Sequence, residues 1–372
     1  MTTQETISLN EEIEAFLKER GAIRVGFATL ETLEGSPQGA DIQYRLPEAK
    51  SAISYALAFD KQIMIDYIAK TSVQSFIDHE ENRFDLNYSS TRISGELAEM
   101  LEEKGYKSKR ILANNNYRKD VPAWQLTMPP KVSHRLVALV AGVATVGYSG
   151  NLGLKGYGAG IHLGTVVTEA ELEPTEQISA DSDLNFCNKC KSCAKACNSE
   201  MFSPVETQKV KVGKYTYEFA KRTDYARCQY VCGGFTGLHK SGKWSTWSPG
   251  RFPSPAGMER SEVMTTLAKA MRNYKKWPER KASGKYSGYK TEVVEGYNIR
   301  LTCGLCQVVC SGDPKETAER YKMLVNSGCV LQKPDGEIII QSAEEAQKTF
   351  ESFPFEHQRL YHFKRRKKHS SK

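Results

Sequence analysis

The 372-residue sequence predicts an α+β fold in two parts, and three observations carry that expectation. Helical and strand periodicities alternate from Ser8 to Thr168, all ten cysteines fall after Asp181, and a Pro/Gly/Ser/Trp-rich stretch from Ser245 to Gly257 interrupts the cysteine-bearing region. In the first part, Ser8-Leu9-Asn10-Glu11 fits a capping box, Ile13, Phe16 and Leu17 give a helical stripe, and Gly21 can end it. Ile23, Val25 and Phe27 alternate as a strand, and Ala52 to Leu57 reads as a second, more apolar one. The next helix is predicted over Thr91 to Lys104, with Ile93, Leu97 and Leu101 inward and Gly105 at its C-terminal cap. Lys109 to Ala113 is a short strand and Val132 to Val140 a helix. A glycine-rich stretch, Gly142 to Gly164, then leads to the strand Thr165 to Thr168. Beyond Asp181 helical signals shorten. Ser261 to Lys276 is one further helix, and Val330-Leu331 with Ile338-Ile339-Ile340 flank Pro334-Asp335-Gly336 as a terminal hairpin. The expected division is 1–180, then 181–330 with an insertion at about 233–300, then 331–372 with a hairpin, helix and basic tail.

With 40% hydrophobic and 26% charged residues the composition is that of a globular chain, so disorder is not the default. The longest nearly apolar stretch, Leu136 to Gly147, is too short and too glycine-rich to cross a bilayer. Met1 to Leu9 is polar and shows no secretory leader, so the expected location is cytoplasmic, with no transmembrane anchor. In a reducing compartment the cysteines point to metal or redox chemistry rather than disulfides. Lys364-Arg365-Arg366-Lys367-Lys368 and Lys372 supply six charges of the net +8. The remaining body is near neutral, which argues against a generally nucleic-acid-coating surface. The tail itself suits RNA, a membrane surface or an acidic partner.

Cys187-x2-Cys190-x2-Cys193-x3-Cys197 is the strongest signal in the sequence. This spacing lets three thiolates converge from a tight loop on one [4Fe–4S] cube, while the fourth, on a following turn, points at another. Asn198 stands where a proline usually follows. The second group is Cys303-x2-Cys306-x3-Cys310, preceded by Cys228 and Cys232. By the crossed pattern of two-cluster ferredoxins, Cys187, Cys190, Cys193 and Cys310 hold one cube. Cys197, Cys303, Cys306 and either Cys228 or Cys232 hold the other, with Cys228 favoured. Zinc on paired Cys-x2-Cys knuckles is the competing reading.

Ala141-Gly142-Val143-Ala144-Thr145-Val146-Gly147-Tyr148-Ser149-Gly150-Asn151 begins the glycine-rich block, and such density lets backbone approach a large flat ligand. It is not the dinucleotide fingerprint. Together with Ser133-His134-Arg135 ahead, Glu171-Leu172-Glu173-Pro174 behind and the cysteine pattern that follows, the region resembles the corrinoid-dependent reductases, meaning reductive dehalogenases and epoxyqueuosine reductases. The resemblance implies a nitroreductase-like α/β cobalamin-binding domain followed by a bacterial ferredoxin-like module with two [4Fe–4S] clusters. It also implies a ferredoxin- or flavodoxin-type electron donor and a small organic substrate whose polarised bond is reductively cleaved. Tyr88, in Asp85-Leu86-Asn87-Tyr88 ahead of a helix, matches the proton-donating tyrosine, with His134, Arg135, Lys131 and Arg118 as sources of a neighbouring cation. Gly142, Gly147, Ser149, Gly150, Asn151 and His162 would contact the cofactor.

Departures exist. His162 is the polar side chain left where dehalogenases carry an arginine, Asp120-Val121-Pro122 only loosely matches the epoxyqueuosine enzymes, and Gly150-Asn151 lacks their lysine. An epoxyqueuosine reductase acting on tRNA is therefore the alternative enzyme. A ferredoxin-like electron carrier or corrinoid-binding protein without catalysis is the alternative of another class. Trp244 and Trp247 in the insertion would cap a cofactor or line a pocket, or else pack a surface excursion.

Overall fold

The computed structural model describes residues 8–113, 117–122, 124, 129–223, 225–253, 260–274 and 301–362, and Ser8 precedes its first helix. Its hydroxyl accepts the Glu11 amide while the Glu11 carboxylate accepts the Ser8 amide, so the capping box starts helix α1 (Leu9–Glu19). Ile13 and Leu17 are buried, and Gly21, at φ +90°, turns the chain into strand β1 (Arg24–Thr29). The other strands of the sheet are β2 (Ser51–Ala58), β3 (Ser108–Arg110) and β4 (Ile161–Thr168), in the order β1-β2-β4-β3 with every pairing antiparallel. β2 is central and buried on both faces, which explains its unbroken apolar run.

Helices cover both faces. Between β2 and β3 run α2 (Lys61–Ala69) and α3 (Val73–Glu103), and α4 (His134–Val140) follows β3. Ile93, Leu97 and Leu101 of α3 pack with Ile13, Leu17, Phe27, Ile53 and Tyr55 on one face. Val137 to Val140 of α4 pack with Ala28, Ala52, Ala56 and Val167 on the other. Gly164 is needed where β4 meets the Tyr55 ring, since a Cβ there would stand 2.1 Å from Tyr55 Cζ.

Several expectations are corrected. α3 starts at Val73, not Thr91, and runs 31 residues. Its N-terminal half lacks an apolar stripe because it buries polar groups. His79 packs at a tilt against Tyr67 with ring centres 4.1 Å apart, and Glu80 pairs with Arg83 at 2.9 Å and accepts the Leu301 amide at 2.8 Å. A long hairpin, β5 (Phe202–Val212) with β6 (Tyr215–Arg222), lies between Cys197 and Cys228, where no strand was expected. Helix α6 (Tyr225–Cys232) follows it, after the short α5 (Ser192–Lys195) of the first cysteine run. The predicted terminal hairpin is present as Cys329–Gln332 against Ile338–Gln341.

One apolar cluster draws on residues from both sides of residue 180. Phe59, Met64 and Tyr67 share one cluster with Met201, Val308, Leu324 and Val330. Trp244 and Trp247 are core residues too; the Trp247 indole N–H donates to Tyr67 O at 3.1 Å. The insertion is thus anchored into both halves rather than being a free excursion. Residues 275–300 of the insertion and the basic tail at 364–372 lie outside the described residues. Among the described residues no helix is long and apolar enough to cross a membrane.

Candidate functional site

Cys187, Cys190, Cys193 and Cys310 line one small cavity beside Tyr148 and Ser149. Lys189 and Lys191, at φ 59° and 62°, take left-handed conformations that fold the first run back on itself. Cys310 arrives through the glycine block. A Cβ on Gly158 would stand 2.1 Å from Cys310 O, and the Ala159 amide donates to that oxygen at 3.2 Å. Backbone amides of Tyr148 and Lys189 point at Cys187 Sγ, at 3.2 and 3.4 Å. Burial, reinforced by Cys310, pushes the Cys193 thiol up to about 12, and burial alone is the largest reason that Cys310 rises to about 11. Burial of this kind keeps the thiols protonated in the absence of a compensating positive charge.

A second set surrounds Cys306. Its thiol is raised by burial and then by Cys197, Cys228 and Cys303, the sulfur groups that act most on it. Cys232 stands behind this set. Its Sγ is 3.6 Å from Cys228 Sγ, and it donates to Cys303, which is the main reason the Cys303 thiol is pulled down. Cys329 is buried elsewhere, beside Arg251 and Lys70. Among the described residues no three His, Cys, Asp or Glu side chains converge closely enough for a single metal ion.

The turn expected to contact a cofactor lies between the two sets. The Tyr148 amide reaches Cys187, the Ser149 hydroxyl bonds Cys193, and the Asn151 amide side chain lies 3.6 Å from Cys306 Sγ. Two guanidinium groups clamp the turn. Arg222 donates to Ser149 O at 2.7 and 3.1 Å, and Arg135 donates to Gly150 O. Protein contacts already account for the nearby glycines. A Cβ on Gly142 would lie 2.2 Å from Glu176 O, and one on Gly147 would lie 2.7 Å from the Phe186 ring.

His134 donates or accepts at Thr165 Oγ1, 2.8 Å from Nδ1, while its buried Nε2 has no partner among the described residues. Burial, then His162, pulls it down to about 4; burial, then Arg83, does the same to His162. Both imidazoles are neutral at neutral pH. Arg135 and Tyr225 keep exposed surface, yet burial lowers Arg135 to about 10, with Arg222 next in effect. Burial likewise raises Tyr225 to about 12, with Cys228 next. Tyr225 and Arg222 were missed in the sequence, where their only signal is a position just before Cys228. Tyr88 lies in the middle of α3 rather than ahead of a helix, is 62% exposed and, among the described residues, bonds neither His134, Arg135 nor a cysteine.

No protein-family profile and no curated protein matches the chain. Among solved structures it is similar to a catabolic reductive dehalogenase at 19% identity and TM-score 0.44, over 59% of this chain and 29% of that one. It is also similar to a reductive dehalogenase described in terms of B12-dependent dehalogenation, at 19% identity and TM-score 0.44, over 62% of this chain and 30% of that one. An epoxyqueuosine reductase from Streptococcus thermophilus is similar at 17% identity and TM-score 0.35, over 52% of this chain and 54% of that one. The chain thus spans under a third of the dehalogenases, at 29% and 30%, and about half of the epoxyqueuosine reductase, at 54%.

Proposed function

We propose that the chain is a cobalamin- and [4Fe–4S]-dependent reductase of reductive dehalogenase type, with a nitroreductase-like cobalamin-binding domain and a ferredoxin-like two-cluster module. The observation that carries this reading is the crossing of the two cysteine runs. Cys310 of the second run joins Cys187, Cys190 and Cys193, while Cys197 of the first acts on Cys306 together with Cys228 and Cys303. These two sets of four would each hold a cubane, leaving Cys232 and Cys329 as spares. When bound, the clusters supply one-electron transfer and the corrinoid a reducing cobalt centre for cleaving a polarised bond such as carbon–halogen.

The residues around the sets have definite tasks. Amides of Tyr148 and Lys189 orient Cys187, and the Arg135 and Arg222 clamps fix the turn between the sets. The unpaired, neutral Nε2 of His134 supports a guest on the side of His162 and Arg135. Tyr88 is the proton donor that the resemblance implies; Tyr225, whose phenol is raised by burial and then by Cys228, competes for that role. Tyr88→Phe and Tyr225→Phe tell them apart, since only the donor's loss abolishes turnover while leaving bound cofactors unchanged.

Anaerobic reconstitution with iron, sulfide and cobalamin tests the whole. About eight irons per chain, a corrinoid spectrum that survives desalting and turnover of an aryl halide are expected. Eight irons without corrinoid retention would leave an electron carrier and sink the reductase. The six positive charges of the tail favour a second reading, an epoxyqueuosine reductase acting on tRNA. Salt-sensitive tRNA binding lost on deleting 364–372 would favour it.

A further inference from the structure

Cys190 is exposed, and it is the only one of the ten cysteines that is. The first set therefore reaches the surface at one sulfur, while the second has no exposed cysteine and acts on Arg135 and Tyr225. The chain around Cys190 is basic. Lys189, Lys191 and Lys195 fall within it, and no acidic residue occurs from Leu184 to Ser199. Lys155 belongs to the turn Leu154–Gly158, which packs against Cys310. All four lysines are exposed, and none makes an ion pair among the described residues, in contrast to Lys50 and Lys107, which pair with Glu171 and Glu48 at 2.6 and 2.7 Å. Lys191 alone is tethered, donating to Pro204 O at 3.0 Å.

Opposing charge is present but partly committed, and Asp181 and Asp183 stand exposed just ahead of Leu184. Asp313 lines the first cavity but is committed to capping the helix Pro314–Val325, and Glu218, which feels Lys189, is bonded to Thr207. Exposed apolar groups border the lysines: Tyr157 on the same turn as Lys155, Leu184 ahead of Cys187, and Val205 beside the Pro204 that tethers Lys191. A positive ring with a few apolar contacts around a redox-accessible point suits brief, electrostatically steered encounters better than a permanent interface.

We propose that this face docks an acidic one-electron carrier protein of the ferredoxin kind, with Lys155, Lys189 and Lys195 steering it so that its centre approaches Cys190. The proposal rests on the reading that Cys187, Cys190, Cys193 and Cys310 hold a redox cluster. On docking, the donor is oxidised by one electron and the group held by the first set is reduced by one; no bond forms or breaks and no proton moves.

The test uses the full chain, reconstituted anaerobically, and a reduced [2Fe–2S] ferredoxin of strongly negative net charge, mixed by stopped flow. The triple variant K155E/K189E/K195E is expected to lose about tenfold or more in second-order rate at low salt and most of its salt dependence, in keeping with steered association. Its iron content and its EPR spectrum after full dithionite reduction stay those of the unmodified chain. Reversing Lys50, Lys107 and Lys348 together leaves the rate unchanged. A triple variant with intact clusters and a rate within twofold of the unmodified chain overturns the docking face. An unchanged ferredoxin rate with lost tRNA binding would place RNA there instead and also overturns it. Failure of the unmodified chain to hold iron or to accept electrons from dithionite overturns the cluster reading, and the docking with it, by a separate readout.

Discussion

Replacing Gly158 by alanine would put a methyl group 2.1 Å from Cys310 O, 2.4 Å from the Ser311 carbonyl carbon and 2.5 Å from the Gly312 amide nitrogen. All three neighbours are backbone atoms, so no side chain can swing aside. The position also sits at φ +57°, a conformation that costs a non-glycine residue about 1–2 kcal/mol. Overpacking of this kind costs about 1–3 kcal/mol more, so Gly158→Ala should destabilise by about 2–5 kcal/mol. Gly156 is the matched control: it has φ +83° with nothing within 4 Å of a Cβ, so alanine there meets only the conformational cost. Relief at Gly158 requires moving Cys310 away from Cys187, Cys190 and Cys193, so iron should fall to about half in that variant and stay full in Gly156→Ala. Urea midpoints of the iron-free chains and iron per reconstituted chain measure the two effects. Equal midpoints and equal iron in both variants would refute the claim that the glycine turn positions Cys310.

Cys228→Ser should halve the bound iron and Cys232→Ser leave it unchanged; the reverse outcome, counted by iron assay, would exchange their roles. Asn151→Leu removes the amide aimed at Cys306 and should lower the reduction potential of the second cluster with iron retained, as an EPR-monitored titration would show. His79 is buried and pulled down to about 4, chiefly by burial and then by Arg83, against about 6.5 when unfolded. The unfolded chain therefore binds more protons between those values, so stability is full above about pH 6.5 and falls toward pH 4, by about 1.4 kcal/mol per pH unit for one histidine. His79→Phe should flatten that slope in urea titrations of the iron-free chain, and an unchanged slope would assign it to other groups. Trp247→Phe strips Tyr67 O of its buried donor and should cost about 1–3 kcal/mol, readable in the same urea titrations; an unshifted midpoint would mean that water replaces the indole.

What the sequence made legible tracks where one local rule decides the outcome. Ser8 and Glu11 satisfy each other within one turn, the apolar run of β2 needs no partner to be read, and the terminal hairpin follows from Pro334-Asp335-Gly336 between two apolar runs. The first half of α3 was invisible because His79 and Glu80 are buried by distant partners, Tyr67 and Leu301, and a polar residue buried that way carries no periodic signal. The β5–β6 hairpin was passed over although Lys211-Val212-Gly213-Lys214-Tyr215 offers a turn between alternating runs; its strands are mostly exposed, and surrounding cysteines dominated the reading. The cysteine spacing suggested which sulfurs belong together. The Tyr148–Asn151 turn is legible from its density of glycine and small polar residues, and three dimensions add that it faces sulfur on both sides.

The crossed membership of the two thiol sets bears on how the protein is made. Cys193 and Cys310, like Cys197 and Cys303, are separated by more than a hundred residues, so a ribosome that has just released the first run has produced neither complete set. At about 5–20 residues per second, on the order of ten seconds pass before the partners emerge. Throughout that interval four closely spaced thiols are reachable by oxidants and by adventitious zinc. If the sets hold clusters as proposed, neither can be filled until the second run has emerged, and until then the nascent chain passes through a period in which the thiols of the first run lack their partners.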